Sequence, residues 1–182
     1  MAVWARIKNM NFKELFSVSK VFIRKPRYIF PTYKATIQTI KICDELYAKE
    51  HHNNGKENAF RHALWNSLIC KKCYSISGSV EVVRNWSNHI TGFHEKLSPN
   101  PKLAKAMDLH NNRVGQFLFS ENPLSKTELI ELLQQKMETA IKVKTIIEIE
   151  KAKNKLVYIE DWKWESNFIN TLKIYRIASV QN

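Results

Sequence analysis

Between Gly55 and Gly78 the chain carries neither glycine nor proline, and Asn53-Asn54-Gly55 breaks the pattern that precedes it. That punctuation predicts a helix opening at Lys56 and extending through Cys70-Lys71-Lys72-Cys73, with Ser75–Ser79 as the loop that follows. At about 100° per residue, Phe60, Ala63, Leu64, Ser67 and Leu68 share one face that can pack. A second stripe, Asn58, His62 and Asn66, recurs at i, i+4 and i+8, with Glu57, Arg61 and Trp65 beside it. A solvated stripe would carry Lys and Glu. Amides, an imidazole, a guanidinium and an indole are costly to bury unless they find partners. The segment therefore carries either a hydrogen-bond network that holds helices in register or a site.

The rest of the chain is equally poor in breakers. Only 4 Gly and 5 Pro argue against a turn-rich β fold, while 44% apolar residues suffice for a core. The expected fold is all-α: a single helical domain of five to seven helices, with one short extended segment near the C-terminus. Residues 1–31 read as a basic amphipathic N-terminal extension, 32–159 as the helical domain carrying the motifs, and 160–182 as an aromatic tail expected to be helical. No apolar run approaches the ~20 residues of a transmembrane helix. The N-terminus lacks an apolar core ending in a small-residue cleavage site, so no signal peptide is read. The expected compartment is the cytoplasm, with a peripheral membrane position as its variant. Cys43, Cys70 and Cys73 are an odd set, which fits reduced thiols better than a disulfide framework.

Charge is distributed unevenly. Nine cations up to Ile42 face Glu14 alone, so most of the net +12 sits in the first quarter of the chain. Between residues 6 and 41 this block is expected to meet an anionic membrane surface or another polyanion, nucleic acid included. Phe12, Leu15, Phe16, Phe22 and Ile23 at helical spacing, with Lys13, Lys20 and Arg24 between them, strengthen the membrane reading. The competing reading is a helix packed on the domain with a basic outer face.

Taken in order, the remaining segments read as helices. One runs from Thr32 to about Glu50 with Ile37, Ile40, Cys43, Leu46 and Tyr47 as inner positions, before a turn with His51-His52. Another spans Ser79–Leu97; its apolar arc is Val83, Trp86, Ile90, Phe93 and Leu97, with His94 inside the arc and Glu95 pointing well away. A third restarts near Lys102 after Pro99 and Pro101, with Met107, Val114 and Leu118 inward and His110 and Asn111 on its flanks. Asp108, Asn111, Asn112 and Gly115 form a polar and small-residue strip, and Gly115 admits close approach of another backbone or a ligand. Ser125-Lys126-Thr127-Glu128 is a capping box opening a helix to about Glu148, and Leu156–Ile159 is expected to be extended.

Asn58-Ala59-Phe60-Arg61-His62-Ala63-Leu64-Trp65-Asn66, His94-Glu95, and Met107-Asp108-Leu109-His110-Asn111-Asn112 with Gly115 together resemble a bacterial domain-of-unknown-function family. Its members occur as small stand-alone proteins and at the C-termini of secreted polymorphic-toxin-like proteins. The resemblance spans roughly Cys43–Phe119. It brings no established activity, but it implies that the three motif segments converge in space, and the toxin-borne members are expected to be enzymatic.

No phosphate-binding glycine loop and no serine elbow is present, and no cysteine falls within the motifs. The CxxC of Cys70 and Cys73 lacks the second ligand pair of structural zinc. What remains is His with carboxylates. The candidate catalytic residues are His62, Glu95, Asp108 and Arg61; Asn58, Asn66, Asn111 and Asn112 are candidates for substrate binding. His62, His94, Asp108 and His110 are candidate ligands for a divalent metal such as zinc, and His62, His94 and His110 are expected to share one cavity. The resulting expectation is a His/Asp/Glu-dependent hydrolase acting on a phosphorylated or membrane-associated substrate. The alternatives are a non-enzymatic membrane-surface or partner-binding protein with a structural polar network, and a nucleic-acid binder or nuclease.

Overall fold

The computed structural model describes Ile23 and residues 25–160, apart from Lys49, Ser98, Pro99, Asn122 and Pro123, and at Lys96 and Leu97 it describes the backbone alone. The expected basic N-terminal helix and the aromatic tail lie outside these residues. Six helices are described: α1 Ile29–Tyr47, α2 Lys56–Ser77, α3 Val80–Leu97, α4 Lys102–Glu121, α5 Lys126–Glu138 and α6 Ile146–Lys151. A parallel pair, β1 Ile141–Lys142 and β2 Val157–Tyr158, flanks α6. The fold is all-α with five to seven helices and one extended element, as the periodicities predict.

Helix α2 is the axis, packed by α1, α3, α4 and α5. It starts at Gly55 and stops at Gly78, whose φ of 63° is the left-handed cap that glycine adopts without strain. The expected inner face, Phe60, Ala63, Leu64, Ser67 and Leu68, is buried, together with Ile69, Cys70 and Cys73. Burial pushes the Cys70 thiol up to about 12 and the Cys73 thiol to about 11, as befits inert core cysteines.

Helix α1 turns a different face inward from the one its apolar pattern suggests. Ala35, Thr39, Ile42 and Cys43 are buried, whereas Ile37, Ile40 and Leu46 are exposed. Two indoles decide this. Trp86 Nε1 donates to Thr32 Oγ1 and Trp65 Nε1 to Thr36 Oγ1, both at 2.9 Å. Each threonine in turn donates to the carbonyl four residues back, Thr32 to Tyr28 at 2.7 Å and Thr36 to Thr32 at 2.9 Å. The hydroxyl face can therefore be buried fully satisfied, and an indole N–H needs such an acceptor.

The capping box is formed, with Glu128 N donating to Ser125 Oγ at 3.2 Å and Ser125 N to Glu128 Oε2 at 2.7 Å. The helix it opens ends at Glu138, not near Glu148. Ile141 N instead donates to Leu156 O at 2.9 Å and Val143 N to Tyr158 O at 2.8 Å, the ladder of β1 and β2. Thr145 then caps α6 by accepting from Glu148 N at 3.3 Å. This unit closes a second small core of Met107, Val143, Ile149, Ala152 and Val157 against α4.

Candidate functional site

Three helices each contribute one polar stripe at i, i+4 and i+8: Asn58, His62 and Asn66 from α2, Ser87, Thr91 and Glu95 from α3, and Asp108, Asn112 and Gln116 from α4. All nine residues are buried. Helices α2 and α4 run parallel here at a constant offset. Asn58 bonds Asp108, His62 bonds Asn112 and Gln116 bonds Asn66, each partner 50 positions away. The register is held where α4 has no side chain. A Cβ on Gly115 would stand 2.1 Å from the Ala63 carbonyl oxygen, and Ser67 Oγ donates to Gly115 O at 2.6 Å. The expected role of Gly115 is thus met by the α2 backbone.

Donor direction can be followed along the seam from a fixed point. The His62 carbonyl only accepts, so the Asn66 group 3.0 Å from it is Nδ2, and Asn66 Oδ1 faces the other way. That oxygen accepts from Ser87 Oγ at 2.7 Å and Gln116 Nε2 at 3.0 Å. The Asn66 amide nitrogen also donates to Asn112 Oδ1, which makes Asn112 the acceptor for His62 Nδ1 at 3.0 Å. The proton of His62 therefore sits on Nδ1, and Nε2 carries a lone pair. Arg61 Nη2 donates to Nε2 at 3.1 Å and also to Asn58 Oδ1. Burial, reinforced by the Arg61 charge, lowers the His62 pKa well below its ordinary value, so the ring is neutral.

That lone pair faces carboxylates. His62 Nε2 lies 3.3 Å from Asp108 Oδ1, which also accepts from Asn58 Nδ2 at 3.1 Å. Asn100 Nδ2 stands 3.4 Å from Asp108 Oδ2. Glu95 completes the group: ligand atoms of His62, Glu95 and Asp108 all lie within 4.8 Å of one another. Neither Glu95 oxygen has a hydrogen bond of good geometry, although the Asn100 side chain is near enough to exert a lowering pull on its pKa. Burial first, then the neighbouring Asp108 charge, raises the Glu95 carboxyl to about 7. Burial likewise raises Asp108 to about 6, against the lowering pull of Arg61 and the two asparagines. Three electron-pair donors thus converge, His62 Nε2 and Asp108 Oδ1 each holding one N–H, from Arg61 and Asn58, and Glu95 holding none, an arrangement that a cation or a captured proton would relieve.

The structure brings Asn58, Arg61, His62, Asn66, Glu95, Asp108 and Asn112 together. His94 and Glu95 exchange the places that the apolar arc of α3 suggests. Glu95 is buried in the seam, while His94 is exposed with its ring edge-on to Trp65, centroids 5.4 Å apart. His110 and Asn111 are directed elsewhere, so the three imidazoles do not line one cavity. His110 Nε2 lies 2.9 Å from Lys155 O; Asn111 donates to Val157 O at 2.9 Å and accepts from Val157 N at 3.0 Å, extending β2 as a strand would. Sequence reasoning passed over Ser87, Thr91 and Gln116. Their signal was a period shared with Asn58, His62 and Asn66, masked on α3 by a larger apolar arc. A second group with metal-ligand convergence, Asp44, His51 and His52, lies at the end of α1, where His51 is buried and its Nε2 is 2.9 Å from Asp44 Oδ1. Among the described residues neither group includes a cysteine.

Fold and seam together define an all-α domain built around a buried polar junction of three helices. The chain belongs to the family described as a domain of unknown function (DUF6973), whose profile matches residues 19–141 and so takes in α1 to α5 and all three motif segments. No curated protein and no solved structure matches the chain.

Proposed function

We propose that His62, Glu95 and Asp108 form the centre of a divalent-metal-dependent hydrolase acting on a phosphorylated substrate. One observation carries the reading: ligand atoms of three buried side chains, one from each helix, converge within 4.8 Å, and neither Glu95 oxygen has a hydrogen bond of good geometry. Buried, unpaired carboxylate oxygens are rare in native proteins unless something else completes them. The donor set fits a cation of the zinc or manganese type, with carboxylate oxygens beside a nitrogen lone pair of fixed tautomer, which Arg61 would have to yield to the ion. The Asn112 carbonyl that fixes this tautomer is the outer-shell partner such a ligand needs. His62 and Asp108 would hold the ion, which would supply Lewis acidity to a phosphoryl oxygen.

The chain's own residues carry the rest. Glu95, raised by burial and by Asp108 and drawn down again by an ion beside it, is placed to take a proton from water and return it to a leaving group. Arg61, half-buried and already aligned by Asn58 and His62, would bind a non-bridging phosphoryl oxygen. Half-buried Lys105, close enough to act on the Glu95 charge, adds a second cation. A second reading, in which the polar network only holds helices together, is favoured by the saturated bonds around Asn66.

The test pairs metal analysis of purified protein with turnover of p-nitrophenyl phosphate and bis-p-nitrophenyl phosphate. The expected result is one bound divalent ion, lost in His62→Ala. Glu95→Gln should lower turnover by at least about 100-fold, the usual minimum for removing a general base. A metal-free protein whose residual turnover is the same in wild type and Glu95→Gln would overturn the reading and leave the structural one.

A further inference from the structure

The outward face of α1 carries Phe30, Tyr33, Ile37 and Ile40 at 62%, 60%, 49% and 42% exposure. Single exposed apolar residues are ordinary. These four recur at i, i+3, i+7 and i+10, which makes one continuous stripe along the helix. Beside it lies a groove of about 500 Å³, with Tyr33, Ile37 and Ile42 among its apolar lining and Lys34, Lys41, Lys72 and Lys126 as its cations. The cations come from three helices, α1, α2 and α5, so the fold gathers them. The acidic residue of the lining, Glu45, is paired with Lys41 at 3.8 Å. Lys34 Nζ lies 4.4 Å from the centre of the Phe30 ring, which joins the basic and the apolar elements into one surface. Lys25 and Arg27 stand exposed just ahead of the same helix.

We propose that this face docks the protein on an anionic phospholipid surface. The apolar stripe would enter the boundary between headgroups and acyl chains, and the groove lysines would take lipid phosphates. Charge complementarity and shape both select this occupant. Phe30 and Ile40 are exposed outside the groove lining, where a flat lipid boundary covers them and a groove-bound acidic peptide does not. The binding is interfacial: no described helix is long and apolar enough to cross a membrane. Docking does not depend on the seam being catalytic.

The experiment is co-sedimentation of the full chain with vesicles of phosphatidylcholine alone and of phosphatidylcholine mixed equally with phosphatidylglycerol. The expected result is binding to the mixed vesicles and none to the neutral ones. The double variant Lys72→Glu/Lys126→Glu lies outside the basic N-terminal block, so it tests the groove itself. It should weaken binding by at least about 30-fold, because each cation near such a surface contributes about fivefold. Phe30→Ser/Ile37→Ser should abolish the binding that survives high salt. Unchanged thermal melts would show that both variants remain folded, as expected for three exposed positions and the half-buried Lys72. Equal binding to both vesicle types, full binding by either double variant, or competition by soluble polyglutamate as effective as excess anionic vesicles would each overturn the proposal.

Discussion

The two ends of the polar seam differ in how far their bonds close and in whether what is left open carries charge. Asn66 itself is complete, its amide donating to His62 O and Asn112 and its oxygen accepting from Ser87 and Gln116, and the one atom left unpartnered beside it is the neutral Asn112 Nδ2. Around Glu95 the network is open, with both oxygens unpartnered and a second carboxylate beside them. Each end is buried, so burial alone does not distinguish structure from site. A closed network specifies how three helices meet. An open one holds charge and lone pairs in a medium that favours neither, a condition expected to be costly unless a ligand or proton completes it. The closed end also serves the open one, since the Asn66–Asn112 bond is what fixes the His62 tautomer.

The most severe way to break this arrangement acts on both ends together. Gly115→Val would place a side chain against the Ala63 backbone, where a Cβ already meets the carbonyl oxygen at 2.1 Å. Neither backbone can move without shifting the register of α2 on α4. The expected cost exceeds about 3 kcal/mol, beyond the usual overpacking penalty and well above any helix-propensity gain. Chemical denaturation of the variant checks this; stability within about 1 kcal/mol of wild type would show that the helices are not locked at this point.

Next in size is Asn66→Ala, which opens the closed end. It strands the Gln116 amide and the Ser87 hydroxyl and removes a donor from Asn112. The expected destabilisation is about 2–3 kcal/mol, the range for leaving buried hydrogen-bonding groups unmade. If the ion analysis also shows weaker metal retention in this variant, the tautomer argument gains support. Lost stability with metal retention intact would separate the two ends after all.

How far the seam could be read in the sequence depends on what competed with each stripe. On α2 the amides and imidazole stood between an apolar face and a mixed one, so the period of Asn58, His62 and Asn66 was plain. Gly115 was legible because a glycine inside a helix needs a reason. On α3 the apolar arc of Val83, Trp86 and Ile90 outweighed a stripe of small hydroxyls, and Glu95 fell on what looked like the solvent side. On α1 apolar size pointed to Ile37 and Ile40, but the inward face was chosen by indole donors on α2 and α3, which no window along α1 contains. The break after Glu138 had the same origin. Met137 and Ile141 keep a helical period, and the partner that draws Ile141 into a strand, Val157, lies far along the chain. His110 and Asn111 were correctly placed on the flanks of α4, yet only the fold reveals that β2 lies against that flank.

The smallest effect is also the most discriminating. Glu95→Gln at the open end exchanges a carboxyl raised to about 7 for an amide that cannot ionise. In the metal-free protein, a carboxyl whose folded pKa lies above its unfolded value binds protons more tightly when folded. Its contribution to stability is therefore greatest at low pH, falls as pH rises from about 4.5 towards 7, and is level above that. Neutral His62 acts in the opposite sense below its ordinary pKa, because there the unfolded chain takes the proton. Comparing wild type with Glu95→Gln at each pH removes that term and Asp108's own as far as the two carboxyls titrate independently. The difference isolates Glu95: the variant should match wild type near pH 4 and be more stable by about 1–2 kcal/mol at pH 8, about half the full value of its shift at about 1.4 kcal/mol per unit. Excess zinc or manganese should reverse the order at pH 8, since an ion held by His62 and Asp108 beside an intact Glu95 stabilises the folded wild type more than the variant. A pH-independent difference would mean that Glu95 is not held in the open end of the seam. A pH-dependent difference that neither metal reverses would leave Glu95 a proton carrier without a cation, and would move the chemistry from metal-assisted to plain acid–base catalysis.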